Sequence, residues 1–205
     1  MSLKKLPPIT SAVKTRPSPE YNPLEGYRST INKNTGQFMN KIMIGTPSRG
    51  TVRMEWALAR FGQIIPCNWS ATDCIQWMST YAPLQYLVPD AQNIIVKTVL
   101  EKKYEWLLLI EDDNILPPDC FLRMNDYMRE AKTPIVSGLY FTKSQPSEPL
   151  LYRRRGSSFY ADWKMGDKVW VDGVPTGCLL IHASILEAIW KESPEYVVNG
   201  QVTRR

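Results

Sequence analysis

Trp106-Leu107-Leu108-Leu109-Ile110 runs without a break into Glu111-Asp112-Asp113-Asn114, and no other stretch restricts the fold as tightly. An apolar run this short fits a strand buried on both faces, the kind that α/β sheets contain. Ligands of open α/β sheets sit at the carboxyl ends of the strands, so the densest negative charge in the chain falls where a ligand belongs. Adjacent carboxylates repel one another, and keeping all three ionised calls for a cation or basic groups nearby. If the chain stays extended through the acids, Glu111 and Asp113 project to one side and Asp112 to the other, so that two carboxylates can share a hard divalent ion. Acids also gather in turns and ahead of helices, where they bind local amides. Asn114 and Asp119 are read that way.

The elements around this strand follow from pattern. Lys41-Ile42-Met43-Ile44-Gly45 is a strand stopped by Thr46-Pro47-Ser48-Arg49-Gly50. A helix from Thr51 to Phe61 comes next, with Met54, Ala57, Leu58 and Phe61 as its inward stripe. Strand, small polar turn and helix attract phosphate through amides and the helix N-terminus, although this turn matches neither a Walker motif nor GxGxxG. Arg49 is read as a phosphate contact or a solvated side chain. Gln63 to Cys67 is a second strand, followed by a short helix around Asp73 to Tyr81. Asp73 caps that helix or meets a nucleotide base, and Trp69, Trp77 and Tyr81 pack. Pro89-Asp90 opens another helix, with Asp90 at the N-cap and Ala91, Ile94, Ile95 and Thr98 inward. Pro117-Pro118-Asp119 starts a helix to Glu130 that buries Phe121, Met124 and Met128.

Beyond it the pattern changes. Pro134 to Tyr140 is a strand, and short β pieces near Leu150 to Arg153, Ser158 to Ala161 and Lys168 to Val171 point to antiparallel hairpins. Cys178 to Ile181 is a buried strand, and Ser184 to Lys191 a helix with Ile185, Ala188 and Ile189 inward. Arg153-Arg154-Arg155 is a diphosphate clamp or a solvated turn. Tyr140, Phe141, Tyr152, Phe159, Tyr160, Trp163 and Trp170 are packing residues, or in part a stacking surface for a sugar.

Charge and cysteine content exclude several functions. The net charge of +5 is concentrated in residues 1–39, where six Lys/Arg face two Asp/Glu; the other 166 residues carry +1. The folded part gives no electrostatic case for nucleic acid. Residues 1–39 hold five of the 16 prolines and no periodic apolar face, and read as a loosely ordered basic arm ahead of an α/β domain over 40–205. Cys67, Cys74, Cys120 and Cys178 form no CxxC pair, and His182 is the only histidine, a poor set for structural zinc. No apolar run approaches 20 residues and no signal-peptide core appears, so no membrane span is expected and reduced thiols in the cytoplasm are.

Over residues 40–192 the pattern resembles the GT-A glycosyltransferases, specifically the family 2-like group that uses nucleotide-diphosphate sugars. The resemblance rests on the first strand with its Thr46-Pro47-Ser48-Arg49 turn, on Leu-Leu-Leu-Ile-Glu-Asp-Asp-Asn, which is similar to the family's DXD motif, and on Val-Pro-Thr-Gly-Cys-Leu-Leu-Ile. It implies a Rossmann-like mixed sheet flanked by helices, and transfer of a sugar from a nucleotide-diphosphate donor to an acceptor, with inversion at the anomeric carbon. By resemblance Asp113, with Glu111, ligates manganese or magnesium, and Glu111 and Asp112 assist through water, ribose or the donor sugar. Thr46, Pro47, Ser48 and Arg49 match the nucleotide turn, Asn93 matches the family more closely than Gln92, and Thr176 and Gly177 match the loop against the sugar.

Two departures stand out. Glu111 occupies a position where the family has Asp. Relatives continue past the equivalent of Trp190 to an acidic motif that supplies the catalytic base, and then to a histidine; this sequence shows neither by Arg205, so that either it is a truncated form or its base comes from elsewhere. Glu192 and Glu195 are weak substitutes, and His182 reads as a strand-end residue. The catalytic residue is therefore unassigned, and the rival expectation is an inactive nucleotide-sugar or glycan binding module.

Overall fold

The computed structural model describes residues 42–65, 80–130, 132–154 and 156–205. The proposed arm, Lys41, the segment 66–79 with its cysteines, Asp73 and tryptophans, Ala131 and Arg155 lie outside the described residues. Strands β1 (Ile42–Gly45), β2 (Thr80–Tyr81), β3 (Trp106–Ile110), β4 (Ile135–Ser137) and β5 (Cys178–His182) form one sheet in the order β2-β1-β3-β5-β4. β1 is parallel to β2 and β3, and β5 runs antiparallel to β3, which makes the sheet mixed. Helices α1 (Met54–Phe61), α2 (Val88–Glu101), α3 (Cys120–Glu130) and α4 (Ala183–Glu192) accompany it, and a hairpin of β6 (Glu195–Val198) and β7 (Gln201–Arg204) follows.

β3 is the centre of the sheet, and all five of its residues are buried. The register sets Leu108 between Ile44 and Leu180 and places Ile110 opposite Cys178. With strand periodicity of two, Ile42, Ile44, Trp106, Leu108, Ile110, Cys178 and Leu180 share one face. That face packs with Phe121, Met124 and Met128 of α3. The other face receives Ile95 of α2 against Gly45 and Leu107. Each fully buried aliphatic or aromatic side chain contributes about 1.5–3 kcal/mol, so this strand contributes more than any segment of equal length at the surface.

Several expected elements take a different form. The stripe of α1 faces outward: Met54, Leu58 and Phe61 are 70%, 65% and 86% exposed. The opposite side is turned inward by two polar anchors, the Trp56 indole N–H on the Glu111 carbonyl at 2.9 Å and the Arg60 guanidinium 5.0 Å from the Phe121 ring centroid. Gln63–Ile65 is a connector and not a strand. Ile64-Ile65 is too short an apolar pair to decide the matter, and the buried Gln63 side chain donates to the carbonyls of Ala59 and Pro117 and accepts from Phe121 N–H. Thr80–Tyr81, expected at the end of a helix, is the strand that extends the sheet beside β1. α2 begins at Val88 with Leu87 as N-cap, so Asp90 lies within the first turn, as Pro89 does, both positions that suit a helix start. In α4, Ile185 and Leu186 are buried, while Ala188 and Ile189 face solvent.

The described residues divide into two compact units, one of residues 137–175 and one of residues 42–136 with 176–205. The smaller unit is held by isolated bridges, Tyr152 with Phe159 and with Gly173, and Phe141 with Pro149, not by long hairpins. Among its described residues Pro149, Leu151 and Tyr160 are buried. Arg153 stacks on Tyr160, 4.4 Å from the ring centroid, and donates to its hydroxyl at 3.2 Å. Trp163 donates to the Tyr160 carbonyl and packs 6.3 Å from Phe141, so these aromatics serve the unit's own packing. Arg154 is exposed in a turn whose Ser157 hydroxyl donates to its carbonyl.

Candidate functional site

β1 and β3 are parallel neighbours, so the segments leaving their carboxyl ends emerge side by side. Between them lies a cleft of about 360 Å³ lined by Pro47, Ser48, Arg49, Thr51, Val52, Arg53, Tyr86, Val88, Asp112 and Asp113. The turn after β1 is held in place locally. Thr46 is buried and its N–H donates to the Tyr81 carbonyl at 3.0 Å, Ser48 bridges to Leu84, and the Gly50 N–H donates to the Ser48 hydroxyl at 3.1 Å. Arg49 is exposed, and Arg53 shares a 3.5 Å ion pair with the equally exposed Glu55, a contact of little energetic weight.

The acids do not continue the strand. The Asn114 N–H donates to the Glu111 carbonyl at 3.3 Å, so the chain turns at Asp112-Asp113, and both aspartates line the cleft. Extended alternation predicts opposite sides for Asp112 and Asp113. The turn cancels it, because a strand's period of two holds only while the backbone stays extended.

Glu111 is held apart from the cleft lining. Its N–H donates to the Gly177 carbonyl at 3.0 Å, and its carbonyl accepts from Trp56. Its carboxylate accepts from the Thr176 hydroxyl at 3.2 Å, and Thr176 in turn accepts from the Gln92 amide at 2.8 Å. Thr176 and Gly177 therefore meet Glu111. Asn93 lies elsewhere: its amide donates to the Tyr196 hydroxyl at 3.1 Å, and Tyr196 donates to Asp90 at 2.7 Å. Burial is the main cause that pushes the Tyr196 phenol above its ordinary range.

Of the expected site residues, the structure brings Pro47, Ser48, Arg49, Asp112 and Asp113 around one cleft and ties Glu111 to Thr176 and Gly177 beside it. Thr46 supports the turn from below. Arg53 and Tyr86 join the site without being singled out from the sequence, and so does Gln92, the less closely matched neighbour of Asn93. Arg53 carries a signal, since a second arginine four residues after Arg49 faces a helix N-terminus. Glu195 pairs with Arg204 at 2.7 Å across the β6–β7 hairpin, and Glu192 is exposed at the end of α4. His182 ends β5 and caps α4, accepting from the Ser184 N–H at 3.2 Å, which is the expected strand-end role.

Among the described residues, no group of three or more His, Cys, Asp or Glu is arranged to hold a metal ion. Two carboxylates on one turn fit magnesium or manganese only together with a ligand's phosphates, which is how such ions are commonly held. No helix among the described residues is long and apolar enough to cross a membrane.

No family model matches this sequence, and no curated protein matches it. Among solved structures, the fold is similar to one described as the crystal structure of A197 from STIV. The two chains are 18% identical, the alignment covers 72% of this chain and 67% of that one, and the TM-score is 0.50. At that identity the likeness concerns the fold alone.

Proposed function

We propose that this chain is a GT-A-type glycosyltransferase that binds a nucleotide-diphosphate sugar with a divalent metal and moves the sugar to an acceptor. The observation that carries this reading is the cleft at the ends of β1 and β3, where Arg49 and Arg53 share a lining with Asp112 and Asp113. Guanidinium groups bind phosphate oxygens bidentately, and paired carboxylates suit a hard cation that also takes phosphate ligands. A ligand with both a diphosphate and a bound cation satisfies both halves of the lining at once. Tyr86 adds an aromatic ring and Val52 and Val88 apolar surface, suited to the flat face of a nucleobase. When bound, a divalent ion stabilises negative charge that builds on a departing diphosphate. The residues of this chain bind and orient the leaving group and place it against the turn.

A nucleotide-sugar binding module without turnover is the second reading. It is favoured by the cleft lining, which among the described residues offers no carboxylate, histidine or cysteine besides the two aspartates to act as a base. Thermal unfolding with manganese and uridine or guanosine diphosphate tests the shared part of both readings. Saturation at about 100 times Kd adds about 2.7 kcal/mol, which at this length raises Tm by about 5–10 °C. Asp113→Ala is expected to abolish the rise. Absence of any metal-dependent rise with either nucleotide would sink both readings, and donor hydrolysis then separates enzyme from binder.

A further inference from the structure

Three acids stand in a row, yet only two of them line the cleft. Glu111 is fixed through its backbone and its side chain by groups distant in sequence: Gly177 takes its N–H, Trp56 binds its carbonyl, and Thr176 donates to its carboxylate. The direction of this chain of bonds follows from chemistry. An ionised carboxylate only accepts, so the single hydroxyl proton of Thr176 must point at Glu111. Thr176 then has only lone pairs left for Gln92, which must present its amide N–H, as it does at 2.8 Å. Gln92 thereby orients the threonine proton, and a group at position 92 that could only accept would compete with Glu111 for it.

We infer that Gln92 and Thr176 are positioning residues, a clasp that holds Glu111 as the anchor of the acidic turn and leaves Asp112 and Asp113 as its ligand-facing pair. The consequence for ligand binding rests on the proposed function; the clasp itself does not. Glu111 stays in register with the β5 side, opposite Gly177, and the chain bends only at Asp112-Asp113, which line the cleft. Partners that orient a ligand-bearing segment in this way typically change metal affinity by about 10–100-fold when removed.

Hydrogen exchange and manganese binding together test this. In the unliganded protein, Thr176→Val and Gln92→Leu are expected to speed exchange of the Glu111 and Asn114 amides about tenfold, with the β3 amides unchanged. Thr176→Ser, which keeps the hydroxyl, restores wild-type exchange. With manganese and uridine diphosphate, Thr176→Val weakens binding about tenfold. Glu111→Gln, whose amide oxygen still accepts from Thr176, keeps near-wild-type affinity, whereas Asp113→Asn loses it. Unchanged exchange in Thr176→Val overturns the clasp, and so does a Glu111→Gln defect as large as that of Asp113→Asn. If wild-type protein binds neither metal nor nucleotide, the proposed function fails and the exchange measurements alone decide the clasp.

Discussion

Gly45 ends β1 where α2 lies against the sheet, and the closeness of that approach can be tested by one methyl group. A Cβ at this position would stand 2.5 Å from Ile95 Cγ2 and 3.2 Å from both Ile95 Cδ1 and Leu107 Cδ1. Carbon atoms at rest sit about 3.5–4.0 Å apart, so the first contact is a clash and not merely a tight fit. Ile95 has little means of yielding, because it is fully buried and a β-branched residue in a helix keeps essentially one χ1 rotamer. Gly45→Ala should therefore cost about 1–3 kcal/mol in overpacking. Reduced freedom of the unfolded chain returns about 0.4–1 kcal/mol, leaving a net loss of roughly 1–2 kcal/mol.

The same geometry predicts that the loss depends on Ile95. Ile95→Ala alone opens a cavity and costs about 2–5 kcal/mol. In that background the added methyl loses both Ile95 contacts and keeps only the 3.2 Å approach to Leu107 Cδ1, which the gain on the unfolded side offsets, so the double variant is about as stable as Ile95→Ala. The coupling is then about 1–2 kcal/mol, within the range measured for residues in contact. Urea unfolding followed by circular dichroism reads it directly, with a common m-value required for the comparison. If Gly45→Ala destabilises both backgrounds equally, to within about 0.5 kcal/mol, the two positions are independent and the packing argument is wrong.

Two further outcomes follow from single contacts. Trp56→Phe removes the indole N–H from the Glu111 carbonyl but leaves that carbonyl its bond from Asn114, so the expected loss is only about 0.5–1.5 kcal/mol by denaturant unfolding; a loss above about 3 kcal/mol would contradict the remaining bond. Tyr196 holds Asp90 through its protonated phenol, and burial first, then the bond to Asp90, pushes that phenol up. Its contribution is full below the ordinary phenol value of about 10 and is lost as pH rises through the higher folded value. Protection of the β6 and β7 amides, taken relative to base-catalysed intrinsic exchange, should accordingly fall on the alkaline side in wild type, while Tyr196→Phe shows lower protection already at neutral pH and no further alkaline step.

The parts of the fold that were legible in the sequence are those where one short pattern decides the answer. Trp106–Ile110 is apolar at every position, and no environment but a two-sided interior satisfies it. The inner faces of α2 and α3 follow largely from helical spacing, as Ala91, Ile94, Ile95, Phe121, Met124 and Met128 bear out, although the last buried position of α2 is Val99 and the expected Thr98 is half-buried. α1 was illegible for the opposite reason. It has an apolar stripe on one side and Trp56 and Arg60 on the other, and the tertiary partners of those two residues decide which side turns inward. The β6–β7 hairpin carries a signal that the sequence reading passes over. Asn199-Gly200 between Val197-Val198 and Val202 is a strong two-residue turn signature, and both turn residues take positive φ, 48° and 76°.

Glu111 shows why a motif can be recognised before its residues can be assigned. Three acids at a strand end mark a candidate site, but which of them face a ligand depends on what fastens the others, and Thr176 lies 65 residues from Glu111 and 84 from Gln92. No local pattern carries that information. The residue type does carry part of it. Glutamate is longer than aspartate by one methylene, about 1.5 Å of reach. With glutamate, the carboxylate meets the Thr176 hydroxyl at 3.2 Å; an aspartate on the same backbone would end about one bond short of it. The longer side chain thus suits the anchoring role inferred for Glu111, and the two shorter acids, on the turn that follows it, face the cleft.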